Sequence, residues 1–283
     1  MGNAQRGVAL ANIICFANQK GGVGKSTTVA NLAGCFATGG RSVLVIDTDP
    51  QANVSLALGV QPEKAAADLY DLLVGSRPAA EAIAPTSIDN CMLIPASARL
   101  ERAEEMLVKE DEQGKLRLRD CLLHRHGARL RPRPEIQRFD YVLIDCPPHL
   151  GRLTINALAA ADYVIIPVQC EVLALYGVQR LINSVINIKR DLNPRLTILG
   201  ALLTMYTDTI HCRAVAEQIR AGFNGYGYVF KNPIKRSIRI SEAVAAELPC
   251  VLYPPASAAA RSFKAVAREI EKLLAQSGGA AAN

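Results

Sequence analysis

The sequence contains no tryptophan, and aromatic residues make up only 5% of its 283 positions. It has no Cys-x-x-Cys pair, no tyrosine-rich tail, and no apolar run approaching the roughly 20 residues that a membrane-spanning helix needs. The N-terminus also lacks the pattern of a secretory signal peptide. These absences argue against an iron–sulfur carrier, a tyrosine kinase with a tyrosine-rich tail, and a membrane-spanning or secreted protein. We therefore expect a cytoplasmic location.

The composition is that of a folded enzyme. Half of the residues are apolar and a fifth are charged, which is enough apolar surface for a large core and too little charge for extensive disorder. We predict one domain over residues 12–275, with tails at 1–11 and 276–283. The eight cysteines are dispersed, several of them within apolar runs, so we interpret them as small buried side chains in a reducing compartment.

Residues 18–27, with the sequence NQKGGVGKST, are the most informative stretch of the chain. They follow the apolar run 13–17 and open a helical pattern over 26–37, which is the context of a phosphate-binding loop. Gln19 stands where the commonest form of this loop has its first glycine. Lys20 is a second cation that the loop itself does not need, and on its own it would be interpreted as a solvated lysine.

The chemistry of this loop comes from its backbone and two side chains. Small residues let successive N–H groups approach phosphates, Lys25 suits the β- and γ-phosphates, and the Ser26 hydroxyl suits Mg²⁺. The nucleotide-binding residues predicted within the loop are Lys20, Gly21, Gly22, Val23, Gly24, Lys25, Ser26 and Thr27.

Three aspartates follow apolar runs elsewhere in the chain. Asp47 and Asp49 end the run in 41–53, and Asp145 ends the run in 139–150. Parallel strands would deliver these carboxylates to the edge of the sheet that binds the nucleotide. There they could hold Mg²⁺ and orient an attacking water. The alternative is that each aspartate caps the following turn, which is commoner for a single aspartate but less so for three beside a phosphate loop.

Alternating apolar and helical patterns predict a doubly wound, mostly parallel α/β sheet of the P-loop NTPase class. The predicted strands are 13–17, 42–47, 91–95, 141–145, 163–167 and 197–203. The predicted helices are 26–37, 99–109, 153–160, 174–191, 213–222 and 257–275. The basic stretch 115–138 is less regular, and we predict a helix followed by a basic loop. We favour a solvated insertion there over a nucleic-acid contact.

These motifs resemble those of the ParA/Soj family of partition ATPases, which are relatives of MinD. KGGVGKST is similar to the family's deviant Walker A motif, VLVIDTDPQAN to its second aspartate motif, and FDYVLIDCPPHLGRLTINAL to its Walker B segment and switch. Similarity continues through VIIPVQCEVLAL, GALLTMY and RISEA, so that it covers most of residues 12 to 275.

The resemblance implies roles for individual residues. It makes Lys20 the signature lysine, which reaches the partner's ATP across a dimer interface, and it places Gly21 at that interface. It assigns Asp49 to water activation, and Asp47 and Asp145, with Ser26, to Mg²⁺. Catalysis would then depend on Lys20, Lys25 and Asp49, and Pro233 would lie near the adenine.

The resemblance also implies a role in DNA binding for clustered cations in the C-terminal third. Without it, DNA binding and a solvated basic loop would be about equally supported. With it, we predict contacts to nonspecific DNA from five residues: Arg213, Arg220, Lys235, Arg236 and Arg239.

The function that the resemblance implies is an ATP- and Mg²⁺-dependent partition ATPase. It would dimerise on ATP, bind nonspecific DNA on the nucleoid, and release it after hydrolysis stimulated by a ParB-like partner, segregating chromosome or plasmid DNA. Two alternatives stay open: a ParA-like ATPase that positions a protein cargo, and a MinD-like membrane-associated ATPase. The uncharged tail after Gln276 argues against the second, and we expect no membrane partner.

Overall fold

The computed structural model describes residues 11–127, 129–171 and 174–280. Within them, an eight-stranded sheet has the spatial order β10-β9-β8-β1-β7-β2-β4-β3, and all its pairs are parallel except β3–β4. A separate antiparallel hairpin pairs β5 with β6. The strands are β1 (Asn12–Phe16), β2 (Val43–Asp47), β3 (Ala84–Pro85), β4 (Cys91–Ile94), β5 (Leu123–His126), β6 (Arg129–Pro132), β7 (Tyr141–Asp145), β8 (Tyr163–Gln169), β9 (Thr197–Thr204) and β10 (Tyr228–Val229).

Helices connect these strands and cover both faces of the sheet, as short parallel crossovers require. They are α1 (Lys25–Thr38), α2 (Asn53–Ala57), α3 (Leu69–Leu73), α4 (Ala79–Ala82), α5 (Leu100–Lys109), α6 (Asp111–Gly114), α7 (Arg117–Leu122), α8 (Pro134–Gln137), α9 (Arg152–Ala160), α10 (Ala174–Asp191), α11 (Ile210–Phe223), α12 (Ile238–Ala245) and α13 (Ala258–Ala280). A single 3₁₀ turn spans Pro62–Lys64.

The core has two layers because successive residues of each buried strand face opposite sides. In β1, Ile13 and Cys15 pack on one side of the sheet, while Ile14 and Phe16 pack on the other. Apolar side chains on both faces account for the continuous hydrophobic runs of the central strands. The second layer includes a stacked pair, Phe36 and Tyr141, with ring centroids 4.3 Å apart.

The predicted fold class is confirmed, and the six predicted strands and six predicted helices are all present with ends shifted by a few residues. The largest shift is at α13, which extends to Ala280 and includes part of the predicted tail 276–283. Residues 1–10 and 281–283 of the predicted tails lie outside the described residues. No helix in the described ranges is long and apolar enough to cross a membrane.

The prediction of a basic loop after the first helix of 115–138 is wrong. The helix exists as α7, but the arginine-rich residues after it form the β5–β6 hairpin and α8. The physical reason is that Leu123 and Pro132 are buried opposite each other, so that the basic residues between them extend as paired strands.

Candidate functional site

The phosphate-binding loop and two of the aspartates meet at the carboxyl edge of the central strands. In the strand register Phe16 aligns with Asp145, and Asp47 also aligns with Asp145. The loop begins directly after β1 and leads into α1. The structure therefore places the residues predicted from separate motifs at one edge of the sheet, as parallel strand ends require.

Hydrogen bonds to two strands, β8 and β9, hold the loop. The Asn18 amide donates to the Pro167 carbonyl at 2.6 Å, and the Thr204 hydroxyl donates to the Val23 carbonyl at 2.8 Å. Val23 is buried, so its part is to anchor the loop through its side chain while the neighbouring backbone stays accessible. Gly24 precedes the first turn of α1 and has a φ of 83°, a left-handed conformation that is strained for residues with a side chain.

Lys25 is buried at the first position of α1, with its ammonium 3.4 Å from the Lys20 carbonyl. Burial lowers the pKa of Lys25, and the carboxylates of Asp145 and Asp49 act in the opposite direction. A cation held in this way beside backbone N–H groups is suited to a polyphosphate, which would supply the missing negative charge.

Asp47 is completely buried, and both of its carboxylate oxygens accept hydrogen bonds. Oδ2 accepts from the Ser55 hydroxyl at 2.7 Å and from the Ser55 backbone at 3.0 Å, while Oδ1 accepts from the Asp49 backbone at 3.1 Å. Burial nevertheless raises the pKa of Asp47 to about 7. These contacts fix the turn that carries Asp49 and the start of α2. The Mg²⁺ role of Asp47 stays a prediction.

Asp145 has the opposite environment. It is completely buried, and neither carboxylate oxygen has a hydrogen-bond partner among the described residues. Burial, and then the nearby charge of Asp47, raises the pKa of Asp145 well above its ordinary value. A buried carboxylate without donors fits a hard cation, because oxygen ligands are what Mg²⁺ prefers. Asp145 and the Ser26 hydroxyl are the residues that would hold it.

Asp49 and the phosphate loop line the same cavity, which has a volume of about 350 Å³. Its Oδ1 accepts from the Gln51 backbone at 3.0 Å, which leaves Oδ2 available. The cavity is lined by Gly21, Gly22, Gly24, Lys25, Ser26, Thr27, Ala30, Asn31, Asp49, Gln51, Asn53, Ala57, Pro148, Met205, Ile240, Val244, Leu248, Pro249 and Cys250. A mostly apolar cavity with a few convergent polar groups is typical of a small-molecule site.

A second cavity of about 230 Å³ lies on the other side of Gly24 and Thr27. Its lining includes Lys235 and Arg236, which we predicted as DNA contacts, and Ser237. Pro233, predicted near the adenine, is not among the residues lining either cavity, although its neighbour Ile234 lines the second one.

Lys20 is exposed on the outer side of the loop, and its ammonium forms an ion pair with Glu171. The two side chains keep about half of their accessible surface, so this pair contributes little to stability. Lys20 is not among the residues that line the cavity of its own protomer. That position agrees with a role across an interface.

The five predicted DNA-binding cations lie in the segments that follow β9. The Arg236 backbone donates to the Tyr206 carbonyl at 3.0 Å, which places Lys235 and Arg236 beside the carboxyl end of that strand. The other three are on helices and pair with acids: Arg213 with Asp208, Arg220 with Glu217, and Arg239 with Glu242. These pairs are exposed and can exchange for phosphate at little cost.

Several residues at the site were not predicted. Ser55 lies eight positions after the carboxylate that it holds, so no local pattern joins them. Asn31 lines the larger cavity and bonds the Val251 backbone at 3.2 Å. Its signal in the sequence is a polar residue among the apolar positions of α1. His149 contacts Glu104 at 3.2 Å, which supports a structural role for this switch histidine.

A parallel α/β sheet with a glycine-rich loop, a buried lysine and a buried carboxylate at its carboxyl edge defines a P-loop nucleoside triphosphatase. A family model described as an AAA domain matches residues 11–198. The chain is 40% identical over 273 residues to the chromosome partitioning protein ParA of Myxococcus xanthus (strain DK1622), covering 96% of this chain and 92% of that protein. It is 39% identical over 262 residues to the sporulation initiation inhibitor protein Soj of Bacillus subtilis (strain 168), covering 92% and 98%. The chain therefore belongs to the ParA/Soj family.

Solved structures agree with the P-loop fold. The crystal structure of cobyrinic acid a,c-diamide synthase from Mycobacterium smegmatis with bound ADP and magnesium matches with a TM-score of 0.77 and 32% identity, over 93% of this chain and 95% of that one. The cell division ATPase MinD of Pyrococcus furiosus matches with a TM-score of 0.73 and 27% identity, over 93% and 100%.

Proposed function

We propose that this protein is a DNA-partition ATPase whose Mg-ATP-bound dimer binds nonspecific DNA and whose hydrolysis releases it. The observation that carries the proposal is the contrast between two neighbouring residues of the site: Asp145 at the end of β7 is buried without a hydrogen-bond partner among the described residues, whereas Lys20 on the phosphate loop is exposed. Asp145 suits a metal within the protomer, and Lys20, held only by an exposed ion pair with Glu171, can exchange that partner for the phosphates of a neighbouring protomer.

The residues divide the work of phosphoryl transfer. Lys25 and the loop backbone bind the β- and γ-phosphates, while Asp145 and Ser26 hold Mg²⁺, which supplies charge neutralisation when bound. Asp47 orients Asp49, and Asp49 positions the attacking water. Lys20 of the second protomer completes the site, so that hydrolysis depends on dimerisation.

DNA binding in this proposal depends on the cations near the end of β9. Lys235 and Arg236 lie at the same edge of the sheet as the phosphate loop, where a dimer formed around ATP would bring two sets of them together. Clustered arginine and lysine side chains bind phosphates without regard to sequence and with strong salt dependence. A ParB-like activator would accelerate hydrolysis and release DNA and cargo together.

The test is retention of the purified protein on nonspecific duplex DNA with ATP, with ADP and without nucleotide, at two salt concentrations. We expect a salt-sensitive component that requires ATP and that Lys20→Ala abolishes. Arg239→Glu, which reverses an exposed charge outside the nucleotide site, should reduce that component while leaving ATP binding intact. Equal retention in all nucleotide states would refute ATP control of DNA binding.

A further inference from the structure

The segment 122–134 carries positive charge without any compensating acid. It contains four arginines, two histidines and no aspartate or glutamate, in a chain whose net charge is +6. Most of this segment is the β5–β6 hairpin, which lies apart from the main sheet. The proposed ATP-dependent function uses none of these residues.

Strand pairing sorts the basic side chains onto the two faces of the hairpin. His126 lies opposite Arg129, and His124 lies opposite Arg131, so these four share one face. Arg125 lies on the other face. Because residues two apart in a strand are roughly 7 Å apart, the first face presents a short ladder of cationic and imidazole groups.

The hairpin is held in a fixed position on the domain. Arg133 donates its backbone N–H to the Leu122 carbonyl at 2.9 Å, and its guanidinium donates to the Asp120 carbonyl at 2.9 and 3.2 Å. The Gln137 amide donates to the Pro132 carbonyl at 2.7 Å. A ligand would therefore meet arranged charges and would not have to order a loose chain.

The exposed arginines of the hairpin are not neutralised by the protein. Arg125, Arg129 and Arg131 form no ion pair with any residue in the ranges 11–127, 129–171 and 174–280, and all three are exposed. By contrast, Arg117 and Arg119 in the preceding helix pair with Glu110 and Asp120. The hairpin arginines therefore differ from those of the preceding helix, whose charges are balanced by acids.

The hairpin lies at the opposite edge of the sheet from the phosphate loop. It leads through α8 into the amino end of β7, and the Leu130 carbonyl accepts a hydrogen bond at 3.4 Å from Arg195, which precedes β9. The nucleotide site and the cations near Tyr206 are at the carboxyl ends of the same strands. A ligand on the hairpin would not contact the nucleotide.

We propose that the β5–β6 hairpin is a second, nucleotide-independent contact site for the phosphate backbone of duplex nucleic acid. The major groove of B-DNA admits a two-stranded ribbon, and arginines without acid partners are suited to its phosphates. The hairpin exposes no large apolar side chain that could insert into a lipid bilayer. The inference rests on the proposed function only in taking nucleic acid as the partner.

The experiment measures anisotropy of a fluorescent duplex of arbitrary sequence with the full chain, without nucleotide and with ATP and Mg²⁺, from 25 to 200 mM salt. The test variant is Arg125→Ser, Arg129→Ser and Arg131→Ser together. The matched control removes three other exposed cations: Lys64→Ser, Arg102→Ser and Lys109→Ser. Thermal unfolding of both variants checks that each is folded.

We expect the wild type to bind weakly without nucleotide, and the hairpin variant to lose at least tenfold in affinity at 25 mM salt. The slope of log affinity against log salt should fall by up to about 3, since each lost phosphate contact removes about 0.9. The control should retain the wild-type affinity and slope. ATP-dependent binding should persist in the hairpin variant, because it uses the other edge.

The outcomes separate this inference from the proposed function. If the hairpin variant matches the wild type in each nucleotide state and both bind more tightly with ATP and Mg²⁺, the inference fails and the ATP-dependent switch stands. If the wild type binds DNA equally with and without nucleotide and the hairpin variant does not bind, the inference stands and the switch fails. Hairpin-dependent binding to vesicles with 30% phosphatidylglycerol or to polyglutamate, with none to DNA, would also overturn the inference.

Discussion

At the scale of single residues, Asp47 and Asp145 show how two neighbouring carboxylates acquire different roles. Both are completely buried and lie on adjacent strands. Asp47 accepts three hydrogen bonds, whereas Asp145 accepts none within the described part of the chain. The first stabilises the fold, and the second is kept at a cost in stability that a metal ion would offset.

This difference predicts stability changes of opposite sign. Asp145→Asn should stabilise the nucleotide-free protein by up to about 1 kcal/mol, because it replaces a buried carboxyl group whose oxygens accept no hydrogen bond from the described residues. Asp47→Asn should destabilise it by about 1–3 kcal/mol, because an amide cannot accept from all three donors. Urea denaturation without Mg²⁺ measures both. A loss of stability in Asp145→Asn would contradict the proposal that Asp145 is a metal ligand that destabilises the metal-free protein.

Replacing Glu171 should change the affinity of the dimer through its ion pair with Lys20. In the protomer, Glu171 holds the ammonium that the proposal assigns to the partner's phosphates. Glu171→Gln should therefore favour the ATP-bound dimer by at most about 1 kcal/mol, or up to about fivefold in dimer affinity, since exposed ion pairs are weak. Sedimentation with ATP and Mg²⁺ measures this. A weaker dimer would show that Glu171 supports the interface instead.

Gly21 separates effects on the protomer from effects on the interface. A Cβ at Gly21 would lie 3.8 Å from Pro148 Cβ, an ordinary contact, whereas Gly22 has a φ of +73° that strains any side chain. Gly21→Val should therefore have the same melting temperature as the wild type and still fail to dimerise with ATP. Normal ATP-dependent dimers in Gly21→Val would refute the interface assigned to this loop.

At the scale of secondary structure elements, Glu269 of α13 ties the segment after β10 to the domain. It accepts from the Tyr228 hydroxyl at 2.5 Å, from the Lys231 backbone at 2.8 Å and from the Asn232 amide at 2.9 Å. That segment leads to Lys235 and Arg236 beside the second cavity. One carboxylate therefore positions the connection between the edge of the sheet and the predicted base-binding region.

Glu269 also predicts a pH dependence of stability. Burial acts to raise its pKa, but the hydrogen bonds from the backbone of Lys231, the Tyr228 hydroxyl and Asn232 outweigh it, so the pKa is lowered. A lowered pKa means that the stabilisation is present above the pKa of unfolded glutamate and is lost as pH falls through the folded value. Glu269→Gln should cost about 1 kcal/mol at pH 7 and less near pH 4. A difference that stays constant over this range would contradict the argument.

The elements also show what the sequence could predict. The central strands and α1 were predictable because a buried parallel strand has a continuous apolar run and the phosphate loop has a local pattern. The β5–β6 hairpin was not, because arginines, histidines and prolines obscure its period of two, and only the contact between Leu123 and Pro132 reveals it. The contact between Asp47 and Ser55 was likewise hidden, since it depends on the path of a turn.

At the scale of the whole molecule, the sheet separates two charged edges. Its carboxyl edge carries the nucleotide site, Lys20 and the cations beside Tyr206, and its amino edge carries the hairpin. ATP can control only what changes between monomer and dimer. We therefore expect DNA binding at the carboxyl edge to depend on ATP and DNA binding at the hairpin to be independent of it.

The central claim is that Mg-ATP drives dimerisation through the loop that carries Lys20. The most direct test is sedimentation velocity of the wild type and Lys20→Ala with ATP and Mg²⁺, with ADP and Mg²⁺, and with ATP and a chelator. We predict a dimer for the wild type with ATP and Mg²⁺, and monomers in the other two conditions. The same ATP and Mg²⁺ should give a much weaker dimer in Lys20→Ala. A monomer under all conditions, or a dimer indifferent to nucleotide and to Lys20, would contradict it.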